Sequence, residues 1–171
     1  DPKMGNLPKD RTIGSRPFEV IGVDYAGPIM YRSKGRSLKK AYILLYSCSL
    51  TRAIYIDLMT NQTLDEFLHS LKRFTTRRAR PTKIYSDNGS TFQAASKWLK
   101  NLMKEEKLHD YLASQHIKWQ FNMSRAPWWG GQFERLIGLV KQSLYKTMGA
   151  TTLTWTELEN VLLDVEATLN N

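Results

Sequence analysis

Three carboxylates stand where the surrounding residues give them no ordinary reason to be charged. Asp24 interrupts the apolar run VIGVDYAG, Asp87 stands where IYS gives way to the Asn-Gly of IYSDNGSTF, and Glu134 lies in GGQFERLIG. An ionised carboxylate inside an apolar run is costly to bury alone, so Asp24 requires a cation or strong hydrogen-bond donors. If the strands carrying Asp24 and Asp87 are neighbours, the roughly 4.8 Å between strands brings both groups to one point, where a divalent cation relieves their repulsion. On a helix, Glu134 falls opposite Phe133 and Ile137, and Gly130 and Gly131 before it allow close approach to another backbone. Each acid also has a plainer reading: a core aspartate satisfied by hydrogen bonds, a strand-end Asx turn, a surface glutamate. Together, on a basic chain, the three favour a metal-dependent enzyme acting on nucleic acid.

Other chemistries find less support. Ser86 beside Asp87 has no placed histidine and no nucleophile elbow, so a Ser-His-Asp site is not indicated. Cys48, His69, His109 and His116 are too scattered for ordinary zinc spacing. The single cysteine excludes an internal disulfide. Twenty-five Lys and Arg against sixteen Asp and Glu give a net charge of +9, which favours a polyanionic partner. The charge is clustered at Arg32, Lys34, Arg36, Lys39 and Lys40, and again at Lys72, Arg73, Arg77, Arg78 and Arg80. A solvated surface is the plain reading of each cluster, and a helix C-terminus accounts for part of the second. No run of 18 apolar residues and no charged-then-apolar leader is present, so neither a membrane span nor a signal peptide is expected.

The elements that must position these acids follow from periodicity. The 171 residues fit one domain, with 42% hydrophobic residues to form its core. Residues 1–16, rich in Pro, Gly and Lys, read as an extended lead-in or linker, and residues 17–171 as the folded core. FEVIGVDYAG, KAYILLYSCS and RAIYIDLM read as three successive strands. Leu64, Phe67, Leu68, Leu71 and Phe74 recur at helical spacing from Thr63 to about Arg78, with Asn61 as a candidate cap. Pro81 ends that helix, and TKIYS returns as a fourth strand. A crossover helix between strands predicts an α/β sheet with a parallel pair. A helix is expected from Thr91 to about Lys104, a short strand at HIKWQF, a sharp break at Trp128-Trp129-Gly130-Gly131, and a helix carrying Phe133, Leu136, Ile137, Val140 and Leu144. Thr154 with Glu157 three residues on predicts a capped final helix.

In these motifs the chain resembles the catalytic cores of retroviral-type integrases, within the RNase H-like superfamily, and most closely those of the BEL/Pao group of LTR retrotransposons. The resemblance is carried by PFEVIGVDYAGP, KAYILLYSCSLTRAIYIDL, LKRFTTRRARP, IYSDNGSTF, APWWGGQFERLIGLVKQSL and LTWTELENVLLDVEATLN, from about Pro17 onward. It implies a five-stranded mixed sheet flanked by helices and a catalytic, metal-holding triad of Asp24, Asp87 and Glu134. It further implies two Mg²⁺ ions, with Mn²⁺ able to substitute, and DNA 3′-end processing followed by strand transfer into target DNA. The implied partners are retroelement DNA ends, target DNA and further copies of the core in a dimer or higher multimer, with no membrane. The implied location is the nucleus, reached through a cytoplasmic virus-like particle or nucleoprotein complex. The 47 positions from Asp87 to Glu134 exceed the separation familiar in retroviral integrases, and the extra length is expected in KNLMKEEKLHDYLASQH.

Lys141 lies two helical turns beyond Glu134 on the same face, where its ammonium is expected to meet a DNA phosphate, as the family's lysine at that place does. Asn88, Gln132 and Arg135 are further DNA-contact candidates. Trp128, Trp129, Gly130 and Gly131 are expected to form a loop beside the site, whereas Trp119 and Trp155 are expected to pack. Two alternatives stand beside integration. One is a domesticated DNA- or protein-binding module without turnover; the other is an RNase H-like nuclease, for which Glu157, Glu159, Asp164 and Glu166 offer a fourth acid.

Overall fold

The computed structural model describes residues 14–86, 98–99, 101–121, 126, 128, 130–149 and 152–171. Strand β1 is Val20–Arg32, β2 Leu38–Cys48 and β3 Ile54–Met59; helix α1, Leu64–Arg77, crosses to β4, Lys83–Ser86. Helix α2, Glu106–Ser114, precedes β5, Lys118–Phe121, and helices α3, Gly130–Gly149, and α4, Trp155–Leu169, follow. The strands form one mixed sheet in the order β3-β2-β1-β4-β5. β1 pairs antiparallel with β2 and parallel with β4, so β1, which carries Asp24, and β4, which ends one residue before Asp87 in the chain, are neighbours as expected.

Strand alternation divides the interior. Ile21, Val23 and Tyr25 point to a core shared with Phe67, Leu71 and Phe74 of α1. There the buried Tyr46 stacks on Phe74 at 4.5 Å and its hydroxyl meets Ser70 Oγ at 2.8 Å, so that hydroxyl is satisfied inside the core. Ala26, Ile43 and Leu45 point the other way, onto Ile137, Val140 and Leu144 of α3 and Leu158 and Leu162 of α4. No helix among the described residues is long and apolar enough to cross a membrane.

Three local expectations are corrected. β1 continues to Arg32 rather than stopping near Gly27, because a register shift between Ala26 and Ile29 absorbs Pro28, which has no N–H to donate. Gly27 itself sits at φ +126, and a Cβ there would meet Ala41 O at 3.3 Å. The cap of α1 is Thr63, whose side chain accepts from Glu66 N–H. Asn61 instead accepts from both the N–H and the hydroxyl of Thr63, an Asx turn that sets the cap in place. KNLMKEEKLHDYLASQH, expected only as extra length, supplies α2, with Leu108 and Leu112 buried one turn apart. Most of the helix expected from Thr91 lies outside the described residues, although Trp98, Leu99 and Leu102 are buried in the first core.

Candidate active site

Asp24 occupies the central strand of the sheet, in register with Leu45 of β2. Its Oδ1 accepts the N–H of Tyr25 at 2.8 Å, and its Oδ2 lies 2.9 Å from Lys141 Nζ. Both side chains of this ion pair are about 20% exposed, so it is partly shielded from water yet open to solutes. Beside it, Val23 pairs with Ser86, the last residue of β4. Ser86 Oγ accepts from Trp119 Nε1 at 2.7 Å, which locks the ends of β4 and β5 together. Asp87 and Asn88 follow in the chain and lie outside the described residues.

Helix α3 supplies the facing groups. Ile137, Val140 and Leu144 bury its apolar side in the second core. Lys141 then reaches Asp24, and Tyr145, one turn on, accepts the N–H of Gly27 at 3.0 Å. Contacts four residues apart on α3 therefore run along β1 from Asp24 to Gly27. Tyr145 was not among the residues expected at the site, and its spacing from Lys141 is the sequence signal that points to it. Glu134 is exposed on the first turns of α3, about 10 Å of helical rise before Lys141.

The remaining expected residues fall as follows. Gly130 and Gly131 open α3 instead of forming a loop. Gln132 is part of the same helix. Arg135 is exposed and lines a groove with Thr51, Arg52, Leu139 and Asn170, beside the β2–β3 turn. Trp128 is half-buried, edge-on to Tyr85 at 5.8 Å, and Trp129 lies outside the described residues. Trp119 and Trp155 pack as expected, Trp155 edge-on to Tyr31 at 5.0 Å.

Among the described residues no group of three His, Cys, Asp or Glu gathers to hold a metal ion; Asp87 is not one of those residues. The donor chemistry nonetheless suits a hard cation. Asp24 and Glu134 offer carboxylate oxygens, and Asp24 Oδ2 already takes a positive group at 2.9 Å. The final-helix acids are occupied elsewhere: Glu157 accepts from the backbone of Thr154 in a capping box, and Glu166 accepts the N–H of Ile56 at 2.7 Å. Glu159 lines a groove with Arg73 and Arg77, and Asp164 is exposed.

No protein-family model and no curated protein matches the sequence. Solved structures do. The catalytic core domain of HTLV-2 integrase in complex with magnesium, in a trimeric form, superposes with a TM-score of 0.59 at 19% identity, covering 90% of this chain and 86% of that one. The catalytic core domain of BIV integrase gives a TM-score of 0.62 at 14% identity, covering 90% of this chain and 84% of that one. In a simian T-cell lymphotropic virus intasome bound to PP2A regulatory subunit B56 gamma, the match has a TM-score of 0.59 at 18% identity, covering 91% of this chain and 49% of that one. At these identities the likeness is one of fold: the chain has the RNase H-like α/β architecture found in retroviral integrase catalytic cores.

Proposed function

We propose that residues 17–171 form the catalytic core of a DDE-type integrase of the BEL/Pao retrotransposon kind, which processes the 3′ ends of element DNA and joins them to target DNA. The observation that carries this reading is the half-buried Asp24 on the central strand, one residue beyond the Val23–Ser86 pairing, with a cation against its carboxylate. Asp87 follows Ser86 as Asp24 follows Val23, and that register supports a joint role for the two. Asp24, Asp87 and Glu134 would hold Mg²⁺ ions, and the HTLV-2 core of the same fold is described with magnesium. Bound there, such ions supply charge stabilisation and activation of the attacking oxygen.

The residues then divide the work. In end processing, water attacks a phosphodiester near the 3′ terminus and the leaving strand departs, freeing a 3′-hydroxyl. In strand transfer, that 3′-oxygen bonds to a target phosphorus, and the target's own 3′-oxygen leaves with a proton. Lys141 places its ammonium on a phosphate of the bound end, and Asn88, Gln132 and Arg135 contact the DNA nearby. Two ends must be joined together, so cores act in pairs or larger assemblies, as in the dimeric and trimeric forms of the HTLV-2 core. The work is done in the nucleus.

The test is Asp87→Asn in protein competent to assemble DNA ends. A neutral amide cannot replace the charge that holds metal, so both end processing and strand transfer should vanish. The fold should persist, and melting temperature should hold or rise as carboxylate repulsion is relieved. Mg²⁺-dependent strand transfer by folded Asp87→Asn at the parental rate would overturn the reading. Retained duplex binding without turnover in the parent would favour the binding-module alternative.

A further inference from the structure

The two basic clusters look alike in sequence and differ in three dimensions. In the second, Arg73 makes a two-pronged contact with Asp57 and also approaches Glu66, while Arg78 pairs with Glu166 and lies over the Tyr55 ring. Those two cations have carboxylate partners, and Lys72 lies over the Tyr111 ring. The first cluster has far less: Arg32 stands 3.9 Å from Glu157, and Lys34, Arg36, Lys39 and Lys40 have no carboxylate partner among the described residues.

These five cations decorate a two-stranded arm. Pairing of β1 with β4 ends at Val23, and pairing of β2 with β3 ends at Tyr42. Beyond those points Ile29 to Arg32 and Leu38 to Ala41 pair with each other, and Arg32 also bridges to Thr154. The arm is braced, not loose. Near its tip Arg32 N–H donates to Leu153 O at 2.8 Å, and Tyr31 beside it packs on Trp155. At its tip Ser33 and Ser37 join through their backbones and hydroxyls, the latter at 2.7 Å. Arg36 sits there at φ +67, a conformation that glycine or asparagine adopts at less cost. Alternation puts Tyr31 and Lys39 on the face toward α4, and Met30, Arg32, Leu38 and Lys40 on the open face, where Met30 is 42% and Leu38 55% exposed.

We infer that this arm docks on the backbone of a DNA duplex, as a second contact surface separate from the carboxylate site. A braced ribbon carrying Lys34, Arg36, Lys39 and Lys40 without carboxylate partners is complementary to a polyanion, and the major groove, about 12 Å wide, admits a two-stranded β-ribbon. The inference rests on the proposed DNA chemistry for its partner and adds where the duplex is held. Arg32 is eight residues from Asp24, about 26 Å along an extended strand, so the arm grips the duplex within about one helical turn of the reacting phosphate.

The experiment is a salt titration of binding to a 30-base-pair duplex of arbitrary sequence, without divalent metal. The arm variant carries Lys34→Gln, Arg36→Gln, Lys39→Gln and Lys40→Gln. A control of equal net charge carries Arg80→Gln, Lys104→Gln, Lys118→Gln and Lys146→Gln. The arm variant should lose at least tenfold in affinity at low salt, and its dependence on log salt should be shallower by roughly 2 to 4, at about 0.9 per phosphate contact. The control should lose less. The tip pair Lys34→Gln and Arg36→Gln should give an intermediate loss, which keeps the test decisive if the fourfold variant fails to fold. Equal losses in arm and control variants would reduce the effect to net charge and overturn the assignment. So would arm-dependent binding to phosphatidylserine vesicles with duplex binding unchanged. Failure of the catalytic reading is separable: a parent that binds duplex through the arm but joins no ends in Mg²⁺ refutes the chemistry and leaves the arm standing.

Discussion

Lys141 is the residue whose surroundings change the reading of its role most. Helical register with Glu134 suggests a phosphate contact, whereas in the DNA-free protein its ammonium lies 2.9 Å from Asp24. One ammonium cannot serve a phosphate and block a metal ligand at once, so the proposed function requires the lysine to trade Asp24 for a phosphate when DNA and metal bind. Lys141→Ala should therefore weaken duplex binding more at low salt than at high, with the salt slope shallower by about 0.9. The same variant should bind Mn²⁺ more tightly, because a competing cation has gone. Calorimetric titration with Mn²⁺ alone checks the second point, and weaker binding in the variant would contradict it. Tyr145 gives a companion expectation: Tyr145→Phe removes the hydrogen bond to Gly27 and should cost about 1 kcal/mol or less, since the hydroxyl's surroundings are half exposed.

At the scale of elements, α4 does two jobs for the sheet. Its N-terminus is closed by a capping box, Thr154 accepting from Glu157 N–H while Glu157 accepts from Thr154 N–H. Thr154→Ala should cost about 1 kcal/mol, read as a fall of roughly 2–4 °C in melting temperature for a chain of this size. Hydrogen bonds from the backbone and side chain of Thr154 hold the Glu157 carboxyl below its usual pKa. A depressed folded-state pKa stabilises above the unfolded value, so this contribution is present at neutral pH and is lost as pH falls through the carboxylate range. In Glu157→Gln that acid-side loss should be smaller than in the parent. The C-terminal end of α4 covers the edge strand: Glu166 takes Ile56 N–H, and Asn170 both accepts from Ile54 N–H and donates to Ile54 O. Uncovering a strand edge invites pairing with another chain, so Glu166→Ala with Asn170→Ala should raise concentration-dependent association in light scattering.

For the whole molecule, a net charge of +9 on 171 residues sets long-range behaviour. Self-repulsion destabilises the compact state, and salt near 0.15 M screens charges beyond about 8 Å. Raising salt from about 10 mM to 0.15 M should hold or raise the melting temperature while weakening duplex binding. A melting temperature that fell steeply over that range would mean that ion pairs such as Arg73 with Asp57 outweigh repulsion.

The sequence by itself determined which residues of the strands and of the longer helices go inside, and in what order those elements come. Alternation in VIGVDYAG, the spacing of Leu64 through Phe74, and Thr154 with Glu157 are local statements, and local sterics and burial carry them into the fold. The oddity of Asp24 was legible for the same reason, because a charge in an apolar run stands out without any neighbours being known. What tertiary structure alone decided is who meets whom. It extended β1 past Pro28 because β2 pairs beyond the bulge, and it made a helix of KLHDYLAS because Leu108 and Leu112 found the first core. It also set Lys141 against Asp24, and it told two like basic clusters apart by giving carboxylate partners to Arg73 and Arg78 but not to Lys34, Arg36, Lys39 and Lys40. Pairing of charges depends on distances across the fold, and no spacing along the chain contains them.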